Sequence, residues 1–214
     1  MSIIRAIAAR EFFGGYTATG SIEIIIAGLG NPGRQYEQSR HNAGFLAVDY
    51  LAEKLGLRVG RLKFQSLCGD GPVGGARALL LKPQTFMNRS GEAVRDAMAF
   101  YKLPPEKTII LVDDSTLPVG AMRIRRLGSS GGQKGVESIL YLTGSDRFPR
   151  VKIGIGHKPH PEMDMADWVL SRFTAADLKA LDTLFPDILD AVELMARGDI
   201  ETAMNRYNIR GQGK

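Results

Sequence analysis

At 214 residues, with 44% hydrophobic and 24% charged residues, the chain has the make-up of one globular domain able to bury a substantial core. No apolar run approaches the ~18 residues of a membrane-spanning helix. The single Cys68 excludes an internal disulfide framework, and His41, His157 and His160 are too scattered to suggest a zinc site, so no metal and no cofactor is expected. Twenty-eight Lys and Arg against 23 Asp and Glu leave a net charge of +5, and the pI of about 9.4 favours a polyanionic partner. A lone thiol fits a reducing cytoplasm.

Residues 1–20 differ in character from the rest of the chain. They carry Arg5, Arg10 and a Gly-Gly-Tyr-Thr-Ala-Thr-Gly stretch, with an apolar segment too short for a secretory signal. They are expected to be a leader or frayed extension ahead of a domain spanning 21–214. From there the pattern is α/β. Residues 22–27 read as a buried strand, followed by a turn through Gly28-Leu29-Gly30-Asn31-Pro32-Gly33. Residues 43–55 read as a helix with Phe45, Val48, Leu51, Ala52 and Leu55 on one face and Gly56 as its stop. A strand pair comes next at 62–68 and 77–82, then a helix at 92–101 ended by Pro104-Pro105. Residues 108–113 form an apolar strand ending in acids, with further strands at 122–125 and 151–155. Thr174 and Asp177 have the spacing of a capping box that opens a long helix toward Arg197. Gly198 closes that helix, and Asp199 caps a last one through Arg206. The alternation predicts a single domain with a twisted mixed, largely parallel sheet flanked by helices on both faces.

Gly28, Gly30 and Gly33 after a strand match the dinucleotide-binding spacing G-x-G-x-x-G. That motif needs a helix starting at once to offer its amides to a pyrophosphate. Here Pro32 removes an amide, residues 34–42 delay the helix, and Asp49 and Glu53 lie inside the helix rather than at a second strand end. A nucleotide site is therefore not expected.

Two polar loops sit between a strand and a helix. One carries Asn31-Pro32-Gly33, Tyr36 and Arg40-His41-Asn42-Ala43-Gly44; the other is Thr85-Phe86-Met87-Asn88-Arg89-Ser90-Gly91. With Asp113 at a strand end, Leu117-Pro118-Val119-Gly120, Gly131-Gly132 and Gly154-Ile155-Gly156-His157, in that order from about Ile24 to the C-terminal helix, the chain resembles the bacterial peptidyl-tRNA hydrolase family. The resemblance implies hydrolysis of the ester between a peptide and the 3′ end of tRNA, with peptidyl-tRNA as partner, by a cytoplasmic monomer.

An ester hydrolase of this kind needs a base for water, and the unperturbed pKa of His, about 6.5, suits His41 to that task. Taken alone, a His at a helix start is more often a cap or packing residue. The resemblance pairs Asp113 with it, as a carboxylate that fixes the imidazole tautomer; of the two adjacent acids, Asp114 reads as the ordinary strand-end one. Asn31 and Asn88, amides able to donate and accept, are implied around the water and the ester. Phe86 and Met87 are implied as pocket walls, and Tyr36 as a stacking surface for the terminal adenosine or peptide. Arg123, Arg125 and Arg126 interrupt an apolar strand and Lys152 lies in another. Arg125 and Lys152 are implied to hold acceptor-stem phosphates, contacts that give salt-sensitive affinity without sequence preference. Gln133-Lys134 departs from the His-Asn that many family members carry after the paired glycines. Gln cannot titrate, so positioning of substrate is the role left to 133, and Lys134 adds charge. The rival reading is a non-catalytic RNA-binding protein on the same fold, akin to a plant organellar splicing factor.

Overall fold

The computed structural model describes residues 20–208. The expected leader, all but Gly20, lies outside the described residues, as do 209–214. In chain order the elements are β1 (Ile24–Gly28), α1 (Ala43–Lys54), β2 (Arg61–Lys63), β3 (Ser66–Val73), β4 (Ala76–Pro83), α2 (Ser90–Tyr101), β5 (Thr108–Asp114), β6 (Met122–Arg125), α3 (Lys134–Thr143), β7 (Arg150–Gly154), α4 (Met165–Leu170), α5 (Ala175–Ala196) and α6 (Ile200–Tyr207).

The seven strands make one mixed sheet in the order β2-β3-β4-β1-β5-β7-β6. Its four central strands, β4, β1, β5 and β7, are mutually parallel, and antiparallel pairings add β3 and then β2 on one flank and β6 on the other. Alternation along β1 sends Ile24 and Ile26 to one face, packed with Ala47, Val48 and Leu51 of α1 and Leu181, Ile188 and Val192 of α5. Ile25 and Ala27 go to the other, packed with Val94 and Ala97 of α2 and Val136 and Ile139 of α3. Helices thus cover both faces, as the sequence pattern predicts. Both edges are blunted: β2 is three residues long and carries Arg61 and Lys63, while the Asn208 amide occupies the β6 edge by accepting from Ile124 N–H at 2.7 Å and donating to its carbonyl at 3.2 Å.

Local sequence accounts for most boundaries. Thr174 and Asp177 form the expected reciprocal capping box, and Asp199 caps α6. The expected strand at 62–68 is instead a hairpin, β2 to β3, turning at Phe64 and Gln65. Both have positive φ (52° and 49°), the geometry of a two-residue primed turn. Two helices, α3 and α4, lie where no element is expected.

The feature that positions everything else is the approach of α1 to the ends of β1 and β5. A Cβ on Gly44 would overlap the Leu111 carbonyl oxygen and the Leu29 backbone, and one on Gly28 would overlap the Gly44 carbonyl oxygen. A Cβ on Gly30 would press into the Phe45 ring at 2.7 Å. Two of the three glycines in the nucleotide-like motif are therefore there for helix–strand contact. Gly44→Ala is expected to destabilise the fold by about 1–3 kcal/mol, the range for overpacking a well-packed core. A urea midpoint equal to that of the parent would show that α1 can retreat without cost.

Candidate active site

His41, Asp113, Asn31, Tyr36, Phe86, Met87, Asn88 and Gln133 lie on or beside the carboxyl ends of the central parallel strands, where α/β sheets place their ligands, whereas Arg125 pairs with Arg150 at the amino end of β7. The chain leaves β1, returns to β4 on one side, then crosses to β5 on the other. The loops after β1 and β4 and the end of β5 therefore open on one crevice.

His41 lies in the single turn Arg40–Asn42 that leads into α1. Its Nδ1 stands 2.9 Å from Asp113 Oδ2, with the His41 side chain 12% and the Asp113 side chain 4% exposed. An ionised carboxylate can only accept, so Nδ1 is the donor, and in the neutral imidazole the lone pair then lies on Nε2. Among the described residues Nε2 has no partner. The family resemblance pairs this carboxylate with the imidazole, and the structure brings the two within hydrogen-bond distance.

The turn that carries His41 is braced by its neighbour. Arg40, 6% exposed, donates to the Ile155 carbonyl at 2.8 Å, to Ser171 Oγ at 3.2 Å and to Asp177 Oδ2 at 2.8 Å. Its guanidinium lies 3.9 Å above the Trp168 ring. Burial pushes the Asp177 carboxyl up, but the Thr174 hydrogen bonds and the Arg40 cation outweigh it and hold it below the usual carboxylate range. Residues 38–40 also pair with 171–173 through the Ser39–Arg172 bridge and the bond from Arg40 N–H to the Ser171 carbonyl. The capping box of α5 and the His41 turn are thus one structure.

Asn31 is nearly buried, and its Oδ1 accepts the Met87 N–H at 2.8 Å. This bond fixes the amide and leaves Nδ2 without a partner among the described residues. Asn42 clamps the same residue by accepting Asn31 N–H at 2.8 Å and donating to its carbonyl at 3.0 Å. Asn31 thereby joins the β1 loop to the β4 loop. Met87 is buried as a wall, while Asn88 and Phe86 are exposed on the same turn. Phe86 holds φ 60° and ψ 160°, a region otherwise left to glycine. Tyr36 is half-buried on the turn Arg34–Tyr36.

Gln133 reaches Asp113 directly, its Nε2 donating to Oδ1 at 2.9 Å. Lys134 instead points along the outside of α3 to Glu137 Oε2, 3.0 Å away. Lys152 bridges to Asp114 at 2.8 Å. Burial pushes the Asp114 carboxyl up, but hydrogen bonds from Lys152 and Thr116 and the Lys152 charge outweigh it and hold it below its usual range. Arg125 is exposed on β6; in the register it faces Arg150, as Arg123 faces Lys152. All four basic side chains lie on one face of the β6–β7 pair.

Comparisons with known proteins place the chain in a family. A family model described as peptidyl-tRNA hydrolase matches residues 25–214. The chain belongs to the peptidyl-tRNA hydrolase family. The peptidyl-tRNA hydrolase of Caldanaerobacter subterraneus is 53% identical over 184 residues, 86% of this chain and 98% of its own. That of a Thermoanaerobacter species is 50% identical over the same coverage. The crystal structure of the Acinetobacter baumannii peptidyl-tRNA hydrolase superposes with a TM-score of 0.80 at 35% identity, covering 87% of this chain and 95% of that one. Family resemblance marks His41, Asp113, Asn31 and Asn88. It does not point to the braces, Arg40 and Asn42, whose partners lie up to 137 residues away.

The Phe86 backbone gives a test of stored strain. Phe86→Gly should raise stability by about 1 kcal/mol, since strain of about 1–3 kcal/mol is released against roughly 0.5–1 kcal/mol of glycine entropy. A lowered melting temperature would mean that contacts of the ring outweigh the strain.

Proposed function

We propose that the chain hydrolyses peptidyl-tRNA by direct attack of water on the ester carbonyl, with His41 as general base and Asp113 as the group that orients it. The observation that carries the reading is the His41 Nδ1–Asp113 Oδ2 pair, which leaves Nε2 at the crevice without a partner among the described residues. Water gives its proton to Nε2 as its oxygen bonds to the carbonyl carbon, and the imidazolium faces Asp113. Collapse of the tetrahedral intermediate breaks the bond to the ribose oxygen, which takes the proton back from Nε2. The products are a peptide carboxylate and tRNA with a free terminal hydroxyl. Donors for the developing oxyanion are at hand in the exposed Asn88 amide and the unpartnered Nδ2 of Asn31. Met87 and Phe86 wall the peptide side, with Gln133 and Lys134 beyond, and Tyr36 offers a ring to the terminal base or the peptide.

The basic face of β6 and β7 suits the acceptor stem. Arg125 is exposed for phosphate, while Lys152 is tethered to Asp114 one residue from the proposed orienting group. A non-catalytic RNA-binding role is not favoured by the family match or by the intact His41–Asp113 pair. The blocked sheet edges support a monomer, and the one cysteine, buried and free, suits the cytoplasm. Among the described residues no helix is long and apolar enough to cross a membrane.

His41→Ala should lower turnover of an N-blocked aminoacyl-tRNA by roughly 10²–10⁴ while tRNA affinity stays near that of the parent. Parent-like turnover would remove His41 from the role of base. Arg125→Gln and Lys152→Gln should raise KM and weaken tRNA binding with little change in kcat. The salt dependence of binding should flatten by about one unit of slope at most for each lost contact. A small N-blocked ester lacking the tRNA body should be cleaved equally by these variants and the parent. Unaltered tRNA affinity and salt slope would return both residues to the solvated surface.

A further inference from the structure

Asp113 has two carboxylate oxygens, and only one faces His41. The other accepts from Gln133 Nε2 at 2.9 Å. The Gln133 Oε1 in turn accepts the Val136 N–H at 2.7 Å, capping α3. These two partners settle the amide's orientation independently. A backbone N–H can only donate, so it takes Oε1; a carboxylate can only accept, so it takes Nε2. With both oxygens held, rotation of the Asp113 carboxylate would break the bonds to Gln133 and to His41 together.

The surrounding chain is built to deliver Gln133 to that spot. Gly131 and Gly132 have φ of 60° and 83°, so two successive left-handed residues turn the chain into the crevice. The loop is fixed from below by Arg150, 3% exposed, which donates to the carbonyls of Ser129 at 2.6 Å, Gly128 and Asp146. A Cβ on Gly135 would meet Met87 Sδ at 2.5 Å and Leu29 at 2.9 Å. Glycine there lets the first turn of α3 approach closely enough for the 133 side chain to reach Asp113.

We infer that Gln133 is a positioning residue of the hydrolytic centre, holding the Asp113 carboxylate in register with His41 by linking it to the N-terminus of α3. This rests on the reading of His41 as base and Asp113 as its partner, and it gives Gln133 a task distinct from contact with substrate. Such a residue acts on kcat, because it orients the base rather than binding tRNA or peptide.

Two substitutions separate this from helix capping alone. In Gln133→Ser the short hydroxyl can still cap α3 but cannot reach Asp113. In Gln133→Glu the cap and the side-chain length are kept, but an oxygen replaces the donor and faces a carboxylate. With N-blocked aminoacyl-tRNA at about pH 8, where unperturbed carboxyls are ionised, the Ser variant should lose roughly ten- to hundredfold in kcat with KM little changed. That is the range of one charge-assisted hydrogen bond. The Glu variant should lose more than the Ser variant, although its cap is intact. The downfield proton resonance of His41 Nδ1–H, identified by its absence in His41→Ala, should shift or broaden in the Glu variant. Parent-like kcat and an unmoved resonance in both variants would overturn the inference and leave Gln133 a helix cap. A loss confined to KM would place it on the substrate instead. Full activity of His41→Ala would strike the underlying reading, and loss in His41→Ala with none in either Gln133 variant would strike this one alone.

Discussion

The site exists because a helix can touch a sheet without a side chain between them. Gly28 at the end of β1 and Gly44 in the first turn of α1 meet backbone to backbone, and Leu29 N–H bonds to the Leu111 carbonyl at 2.9 Å beside them. This seats the start of α1 against the ends of β1 and β5. His41 lies three residues before Gly44 and Asp113 two residues after Leu111, so one close approach brings both ends of the dyad together. Any larger residue would lift α1 and carry His41 away from Asp113.

Around that contact the chain uses its buried polar groups for bracing. Arg40 joins the His41 turn to the Ile155 carbonyl, to Ser171 and to the α5 cap; Asn42 clamps Asn31; Asn31 holds Met87. Arg40 and Asn42 are satisfied by hydrogen bonds, as burial demands, while Asn31 keeps its Nδ2 without a partner among the described residues. Together they connect the loops after β1 and β4 with the segment ahead of α5. Arg40 and Asn42 hold the functional candidates without reacting themselves, an arrangement that suits the proposed base, which must stay in one orientation.

Much of this architecture is legible in the sequence. The spacing of Phe45, Val48, Leu51 and Ala52 announces α1, and Thr174 with Asp177 announces α5. What escapes has physical reasons. The β2–β3 hairpin turns on Phe64 and Gln65 at positive φ, where residue types would lead one to expect Asn-Gly. Helix α3 begins at a Gln cap behind a glycine-rich loop, without the Ser, Thr, Asp or Asn that marks a start. Helix α4 has only six residues, too few to show a period. Within the site, His41 and Asp113 can be named from motif order. The partners of Arg40, Asn42 and Gln133 cannot, because those bonds join residues 11 to 137 positions apart.

Asp113 and Asp114 show how a strand assigns two tasks to adjacent identical residues. Successive side chains on β5 point to opposite faces. Ile109 and Leu111 pack with α1, and Ile110 and Val112 with α2 and α3. Continuing that alternation, Asp113 falls on the face where α1 brings His41, and Asp114 on the face where β7 brings Lys152. Asp114 is thereby held ionised by a cation and by Thr116, and its charge is neutralised locally rather than imposed on the dyad. Among the described residues Asp113 pairs with no lysine or arginine; its partners are an imidazole and an amide. A cation on Asp113 would compete for the oxygen that orients His41 and would disfavour the imidazolium that proton transfer creates. Placing the lysine on the other face of the sheet, against Asp114, leaves the Asp113 carboxylate to the imidazole, which is what the proposed role of His41 as base requires.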